Sequence, residues 1–301
     1  MLEKGIASIS TNIDTKIKVD IKGCYSSVVS ASWLYQNLND SQVVVIDSRF
    51  ALSDPQLGKQ QYIAGHIPGA FFLDLNEDLS SPVQPHGGRH PLPDPIKFAE
   101  KLTRMGVYSG ESSSPSQIVV YDDSRLAFAA RLWWLLRYMG YDQVAVLDGG
   151  FQGWQRAGYP ISQTVPSLKD GNFVPRLRSD WVATIEDVKS RKDLPGVVLI
   201  DSREHDRYQG IREPIDPIAG HIPGAVNYPW QEVTDAEGYI HPLEMHQQRW
   251  ADLATASEVI VYCGSGVTAC VNALSLEIAG ISSKLYAGSW SDWCSYLQQD
   301  R

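Results

Sequence analysis

Cysteine is scarce: the 301 residues hold four, Cys24, Cys263, Cys270 and Cys294, and no two form a Cys-x-x-Cys pair. That usage excludes a disulfide framework and a zinc site, and no metal or organic cofactor is expected. Free thiols suit a reducing compartment. Long apolar runs are missing as well. The most apolar stretch, Leu126 to Met139, is interrupted by Arg131 and Arg137 and is too short to cross a bilayer. Residues Met1 to Ser8 lack the basic start and apolar centre of a secretory signal. These absences place the protein in the cytoplasm, with no membrane partner. Blocks of like charge are absent too. With a formal net charge of −9, nucleic acid and anionic membrane surfaces are excluded as main partners. A local basic pocket for a small anion stays open.

What is present is a folded chain of two-domain length, 43% hydrophobic and 20% charged. After a leader over residues 1–22, the chain is written twice. Val43-Val44-Val45-Ile46-Asp47-Ser48-Arg49 returns as Val197-Val198-Leu199-Ile200-Asp201-Ser202-Arg203. Ala64-Gly65-His66-Ile67-Pro68-Gly69-Ala70 returns as Ala219-Gly220-His221-Ile222-Pro223-Gly224-Ala225. Ile118 to Asp122 returns as Val259 to Cys263, and Leu147 to Trp154 as Tyr286 to Trp293. Four blocks in one order, about 140 to 155 positions apart, define two domains, 23–160 and 181–301, joined by a Pro- and Ser-rich linker over 161–180.

Short β-rich runs alternate with helical periods in each half. In the second half strands are expected near 197–201, 225–228, 259–262 and 284–287, and helices near 182–192, 243–255, 267–279 and 289–298. This alternation predicts an α/β fold, each domain a small, mainly parallel sheet with helices on both faces. Ligands of such folds bind beyond the carboxyl ends of the strands. His66, His221, Arg49 and Arg203 recur in both halves, so structural roles are expected: backbone hydrogen bonds for the histidines, ion pairs for the arginines.

The two halves differ at one corner. Val259-Ile260-Val261-Tyr262 reads as a buried strand, and Cys263-Gly264-Ser265-Gly266-Val267-Thr268 as a glycine-rich loop opening a helix. Glycines let such a loop curl its N–H groups toward one point, and the helix N-terminus adds positive potential. A free thiol titrates near ~8.5, so lowering it by about two units needs ~2.7 kcal/mol of thiolate stabilisation. A helix end supplies ~1–2 kcal/mol, and converging N–H bonds would supply the rest. Cys263 is thus a candidate nucleophile; the alternative is a buried structural cysteine. The matching first-half position holds Asp122.

Strand-end Asp-Ser-Arg, Gly-His-Ile-Pro-Gly-Ala, the loop Cys263 to Thr268 and Gly288-Ser-Trp-Ser-Asp-Trp293 together resemble the two-domain rhodanese family, over about residues 25–298. That family comprises thiosulfate and 3-mercaptopyruvate sulfurtransferases. The resemblance implies tandem rhodanese-like domains, the first silent because a carboxylate at Asp122 accepts no sulfane sulfur. It implies that Cys263 attacks a small anionic sulfur donor and becomes a persulfide. Loop N–H groups from Gly264, Ser265, Gly266, Val267 and Thr268 would hold it, and a thiophilic acceptor (cyanide, a thiol or a protein thiol) would discharge it. Arg207, in Arg207-Tyr208-Gln209-Gly210, matches the family's donor-binding arginine, whose fork suits an oxyanion. A second arginine is usual shortly before Gly-His-Ile-Pro in mercaptopyruvate enzymes. Ile215 stands there, and Arg212 is the candidate substitute.

The uncharged Gly264-Ser265 pair resembles the mercaptopyruvate type, whereas thiosulfate enzymes carry cations at those positions. The donor therefore stays open between the two. Ser265 could relay a proton to the leaving group or cap the following helix. Trp290 and Trp293 read as core, and Cys270 as packing or a redox partner of Cys263. In the loop His86-Gly-Gly-Arg-His-Pro-Leu-Pro93 of the silent half, Arg89 could add positive field. Two rivals remain. A non-enzymatic sulfur carrier shares the loop chemistry. Dual-specificity phosphatases of the same fold need a loop arginine, where this chain has Ala269.

Overall fold

The computed structural model describes residues 27–110 and 114–297; the expected leader, the start of the first domain and Cys24 lie outside them. The first half runs β1 (Val28–Val29), α1 (Ala31–Asn37), β2 (Val43–Asp47), α2 (Leu57–Ala64), β3 (Phe71–Phe72), α3 (Pro95–Arg104), β4 (Gln117–Tyr121), α4 (Ala129–Tyr138), β5 (Val144–Leu147) and α5 (Gly150–Arg156). The second runs β6 (Val182–Ala183), α6 (Ile185–Arg191), β7 (Val197–Asp201), α7 (His205–Tyr208), β8 (Val226–Asn227), α8 (Leu243–Arg249), β9 (Glu258–Tyr262), α9 (Ala269–Ile278), β10 (Lys284–Tyr286) and α10 (Ser289–Leu297). Each half forms one five-stranded sheet, in order β1-β5-β4-β2-β3 and β6-β10-β9-β7-β8. Every pairing between these strands is parallel.

Alternation along the strands buries both faces. Val44, Ile46, Ile118 and Val120 face α3 and α4, while Val45, Val119 and Tyr121 face α1 and α5. In the second half Ile200, Val259 and Val261 pack with α9, and Leu199, Ile260 and Tyr262 with α6 and α10. The apolar side chains of α4 and α9 belong to one continuous cluster, so the two domains share a core.

Both Asp-Ser-Arg repeats are buried ion pairs, Arg49–Asp47 and Arg203–Asp201, each at 2.6 Å. Arg49 also lies over the Phe151 ring and Arg203 over that of Trp290. His66 and His221 bond the carbonyls of Tyr62 and Tyr208 through Nδ1, as the structural reading expects. Three local expectations change, and one helix, α7, was not expected. Residues 182 and 183 pair as an edge strand, and the helix starts only after Thr184, which with Asp187 forms a capping box. The expected helix at 243–255 ends at Arg249, followed by a 3-10 turn over Ala251–Leu253. Helix α9 starts at Ala269 rather than 267, because the loop continues curling to Thr268. Helix α7 has four residues, too few to show a period. No helix among the described residues is long and apolar enough to cross a membrane.

His246 of α8 is buried in the shared core. Its Nε2 meets the His241 carbonyl at 2.9 Å and therefore carries the proton, leaving Nδ1 to accept from Ser275 Oγ at 2.7 Å. Ser275 Oγ in turn accepts from Trp250 Nε1. Burial, helped by the nearby Arg249 guanidinium, lowers the His246 pKa to about 4. The folded value lies below the unfolded one of about 6.5, so the unfolded chain takes up the proton first. Stability is expected to fall as pH drops from about 6.5 toward 4, by at most about 3 kcal/mol for this residue. Urea unfolding at stepped pH checks this, and His246→Gln should flatten that part of the curve.

Candidate active site

Strand β9 delivers Cys263 to the carboxyl edge of the second sheet, 2% exposed. Its backbone is fixed from α10. Cys263 N–H donates to Ser289 Oγ at 3.1 Å, and that hydroxyl donates to Tyr286 O at 2.9 Å. Trp290 N–H and Ser291 N–H donate to the carbonyls of Cys263 and Gly264. Ser289 holds φ +56° in the process, a left-handed conformation uncommon outside glycine. Gly266 is required by geometry: its φ is +74°, and a Cβ would lie 2.3 Å from Ala287 O.

The first half shows what such a corner binds. Asp122 follows β4 as Cys263 follows β9, and its carboxylate accepts four backbone N–H groups. Ser124 and Leu126 donate to Oδ1, and Phe128 and Ala129 to Oδ2, all at 2.8–3.1 Å. The Asp122 corner is one residue longer, with α4 starting seven positions after Asp122 and α9 six after Cys263.

Over the Cys263 loop lies a cluster of charges. Arg207 Nη2 pairs with Glu213 Oε1 at 2.8 Å and Asp216 Oδ2 at 2.9 Å. Arg89, from the first half, pairs with the other Asp216 oxygen. Both guanidiniums face the loop: a Cβ on Gly264 would lie 3.0 Å from Arg89 Nη2 and 3.5 Å from Arg207 Nη2. Arg203 Nη1 reaches Glu213 from behind at 3.2 Å. His90, beside Arg89, bonds Ser265 Oγ through Nδ1 at 2.8 Å. Burial, then Arg131 and Arg89, lower its pKa to about 4, so it is neutral near pH 7. Gly87 N–H, Arg89 N–H and His86 Nδ1 meet Asp292, Ser291 and Ser295 of α10, which seats the whole 86–90 loop on the second half.

Beneath the loop is a fully buried cation, Arg131 of α4. It donates to the carbonyls of Gly266, Leu79 and His90, and no carboxylate pairs with it among the described residues. Cys270 is buried beside it and shares the Gly266 carbonyl. Burial pushes the Cys270 thiol up to about 12, which suits packing.

The structure therefore brings together Cys263, Gly264, Ser265, Gly266, Val267, Thr268 and Arg207. It does not bring Arg212 to them. Arg212 is exposed, and among the described residues its hydrogen bond is backbone N–H to Asp206 O. The second cation over the loop is Arg89. Ser265 does not cap α9; its hydroxyl is engaged by His90. Trp290 and Trp293 are core residues of the α10 face. His90, Glu213, Asp216 and Arg131 were not singled out as site residues by the sequence. The one signal toward His90 was its place in the Pro/Gly loop beside Arg89.

A family model for the rhodanese-like domain matches residues 30–157 and again 184–296. The chain is 42% identical over 274 residues to a protein of Pseudomonas aeruginosa named "Probable 3-mercaptopyruvate sulfurtransferase", covering 89% of this chain and 95% of that one. It is 31% identical over 295 residues to thiosulfate/3-mercaptopyruvate sulfurtransferase 2 of Arabidopsis thaliana, covering 89% and 84%. The crystal structure of SseA from Escherichia coli, described as a 3-mercaptopyruvate sulfotransferase with a rhodanese fold, superposes with a TM-score of 0.76 at 33% identity. That match covers 89% of this chain and all of SseA. With two rhodanese-like domains matched in tandem and relatives aligned across both, the chain belongs to the rhodanese family.

Proposed function

We propose that the protein is a sulfurtransferase that moves a sulfane sulfur from a small anionic donor through a persulfide on Cys263 to a thiophilic acceptor. The observation that carries this reading is the pair of corners. Four N–H groups hold an anion at Asp122, and the equivalent corner in the other half presents a thiol beneath two arginines. The names of the relatives support 3-mercaptopyruvate as donor first and thiosulfate next. Three described cysteines are free thiols, which suits a reducing compartment.

The Cys263 thiolate attacks the donor's outer sulfur, and the bond from that sulfur to the rest of the donor breaks. The electron pair leaves with the remainder, as sulfite from thiosulfate or as the pyruvate enolate from 3-mercaptopyruvate. A negatively charged Cys–S–S⁻ remains under the loop N–H groups. An acceptor such as cyanide or a thiol then attacks the terminal sulfur and regenerates the thiolate. Arg207 and Arg89 face Gly264 and orient the donor's anionic end.

The two donors differ in proton demand. The sulfur of 3-mercaptopyruvate carries a proton, and its departing carbon must gain one. Ser265, bonded to a neutral His90, offers a route between them. Sulfite needs no proton to leave. Ala269 is buried in the first turn of α9 and supplies no phosphate-clamping guanidinium, so the phosphatase reading has no support.

Cys263→Ala is expected to abolish sulfur transfer from both donors to cyanide, and loss of the persulfide mass shift after donor treatment checks the intermediate. Ser265→Ala is expected to lower kcat for 3-mercaptopyruvate by about 10²-fold or more, with thiosulfate changed by no more than about threefold. Equal losses on both donors would remove the relay role. Arg207→Ala is expected to reduce kcat/KM for both donors by about 10²-fold, because it also strands Glu213 and Asp216.

A further inference from the structure

We propose that Asp216 is a specificity-determining residue: its carboxylate, fixed between Arg89 and Arg207, half-fills the donor-anion site and makes the enzyme discriminate against doubly charged donors. The proposal rests on the donor-binding role given above to the two arginines.

Asp216 is not a surface carboxylate that happens to pass an arginine. Its side chain is fully buried, and its two oxygens divide between the two guanidiniums, one from each half of the chain. Its position is set by its own turn. Glu213 Oε1 accepts the N–H groups of Ile215 and Asp216 at 3.1 and 3.0 Å, and Pro214 and Pro217 flank the turn. Glu213 is itself held by Arg207 and Arg203. The Asp216 carboxylate is therefore locked in place before any donor arrives.

The charges around the loop then balance. Arg203 is matched by Asp201, Arg207 by Glu213, and Arg89 by Asp216. Three cations meet three carboxylates, and Arg131 beneath Gly266 is a further positive charge with no carboxylate partner among the described residues. A site with two free arginines would favour a dianion. Here the same arginines already carry a carboxylate, and the neighbouring Ile215, 46% exposed, adds no cation. A fixed negative charge acts on each donor charge alike, so its penalty on a dianion is about the square of that on a monoanion. Thiosulfate is a dianion at neutral pH and 3-mercaptopyruvate a monoanion. Discrimination is thus electrostatic and comes from the repelling element, with no added cation needed.

The test is steady-state transfer to cyanide from each donor in wild type, Asp216→Asn, Arg89→Gln and Arg207→Ala, at low and at high salt. Asp216→Asn keeps the shape and removes the charge. It is expected to raise kcat/KM for thiosulfate about tenfold and for 3-mercaptopyruvate about threefold, mainly through KM, with the difference shrinking at high salt. Arg89→Gln leaves the Asp216 charge less compensated and is expected to move both donors the other way, thiosulfate again by the larger factor. If Asp216→Asn instead lowers both donors equally, Asp216 only braces Arg207 and the proposal fails. An unchanged donor ratio in Asp216→Asn also overturns it. Should Asp216→Asn not fold, the donor ratio in Asp216→Ser, which also removes the charge, decides instead. Arg207→Ala separates the two levels. Impaired transfer with an unshifted donor ratio in the other variants sinks the specificity claim and leaves the donor-binding role standing. Unimpaired transfer sinks that role and this inference with it.

Discussion

A strand that ends where a helix begins, with the chain curled tightly between them, gathers backbone N–H groups around one point. Those groups have no partner in the helix, and an anion satisfies them. The fold contains this corner twice, and the two copies are put to different use. At Asp122 the chain fills it with its own carboxylate, four hydrogen bonds deep. At Cys263 it presents a buried thiol instead. The glycines belong to that choice, since Gly266 sits where a side chain would strike the Ala287 carbonyl and Gly264 where one would press on Arg89. The segment Gly288 to Asp292 is equally part of it, holding the first two loop residues by their backbone atoms.

The first half is more than a scaffold. It places Arg89 over the loop, His90 against Ser265, and Arg131 underneath. None of these contacts survives if the halves separate, and the shared cluster along α4 and α9 is what keeps them together. Arg131 is the most exposed to that dependence in energetic terms. A buried guanidinium without a carboxylate is costly, and its bonds to three carbonyls from both sides of the junction offset part of that cost. In the proposed reaction, the negative charge on sulfur would compensate it further.

The repeat made most of this fold legible. Parallel sheets, strand positions in the second half, structural roles for His66, His221, Arg49 and Arg203, and the differing corner all follow from two aligned copies and their alternating periods. Boundaries drifted where local chemistry acted against the period: Thr184 capped α6 later than its apolar pattern begins, and glycine let the loop run on before α9. The site was half legible. Cys263 and its loop lie in one stretch of sequence. The bond from His90 to Ser265 joins residues 175 positions apart, and nothing in either local pattern announces it. Arg212 stands shortly before Gly220-His221-Ile222-Pro223, where the resemblance puts a second arginine, whereas Arg89 lies in the other half of the sequence. The turn built on Glu213 brings Asp216 inward instead, while Arg212 stays at the surface.

The strand order carries a consequence for how the chain is made. β1 pairs with β5, the last strand of its half, so the first sheet cannot close its edge until residues around Val146 have been synthesised. Even then α4 presents an apolar face and the Arg131 guanidinium whose covering partner, α9, belongs to the other half. On a ribosome the first domain therefore emerges with that surface uncovered until the second domain arrives to cover it.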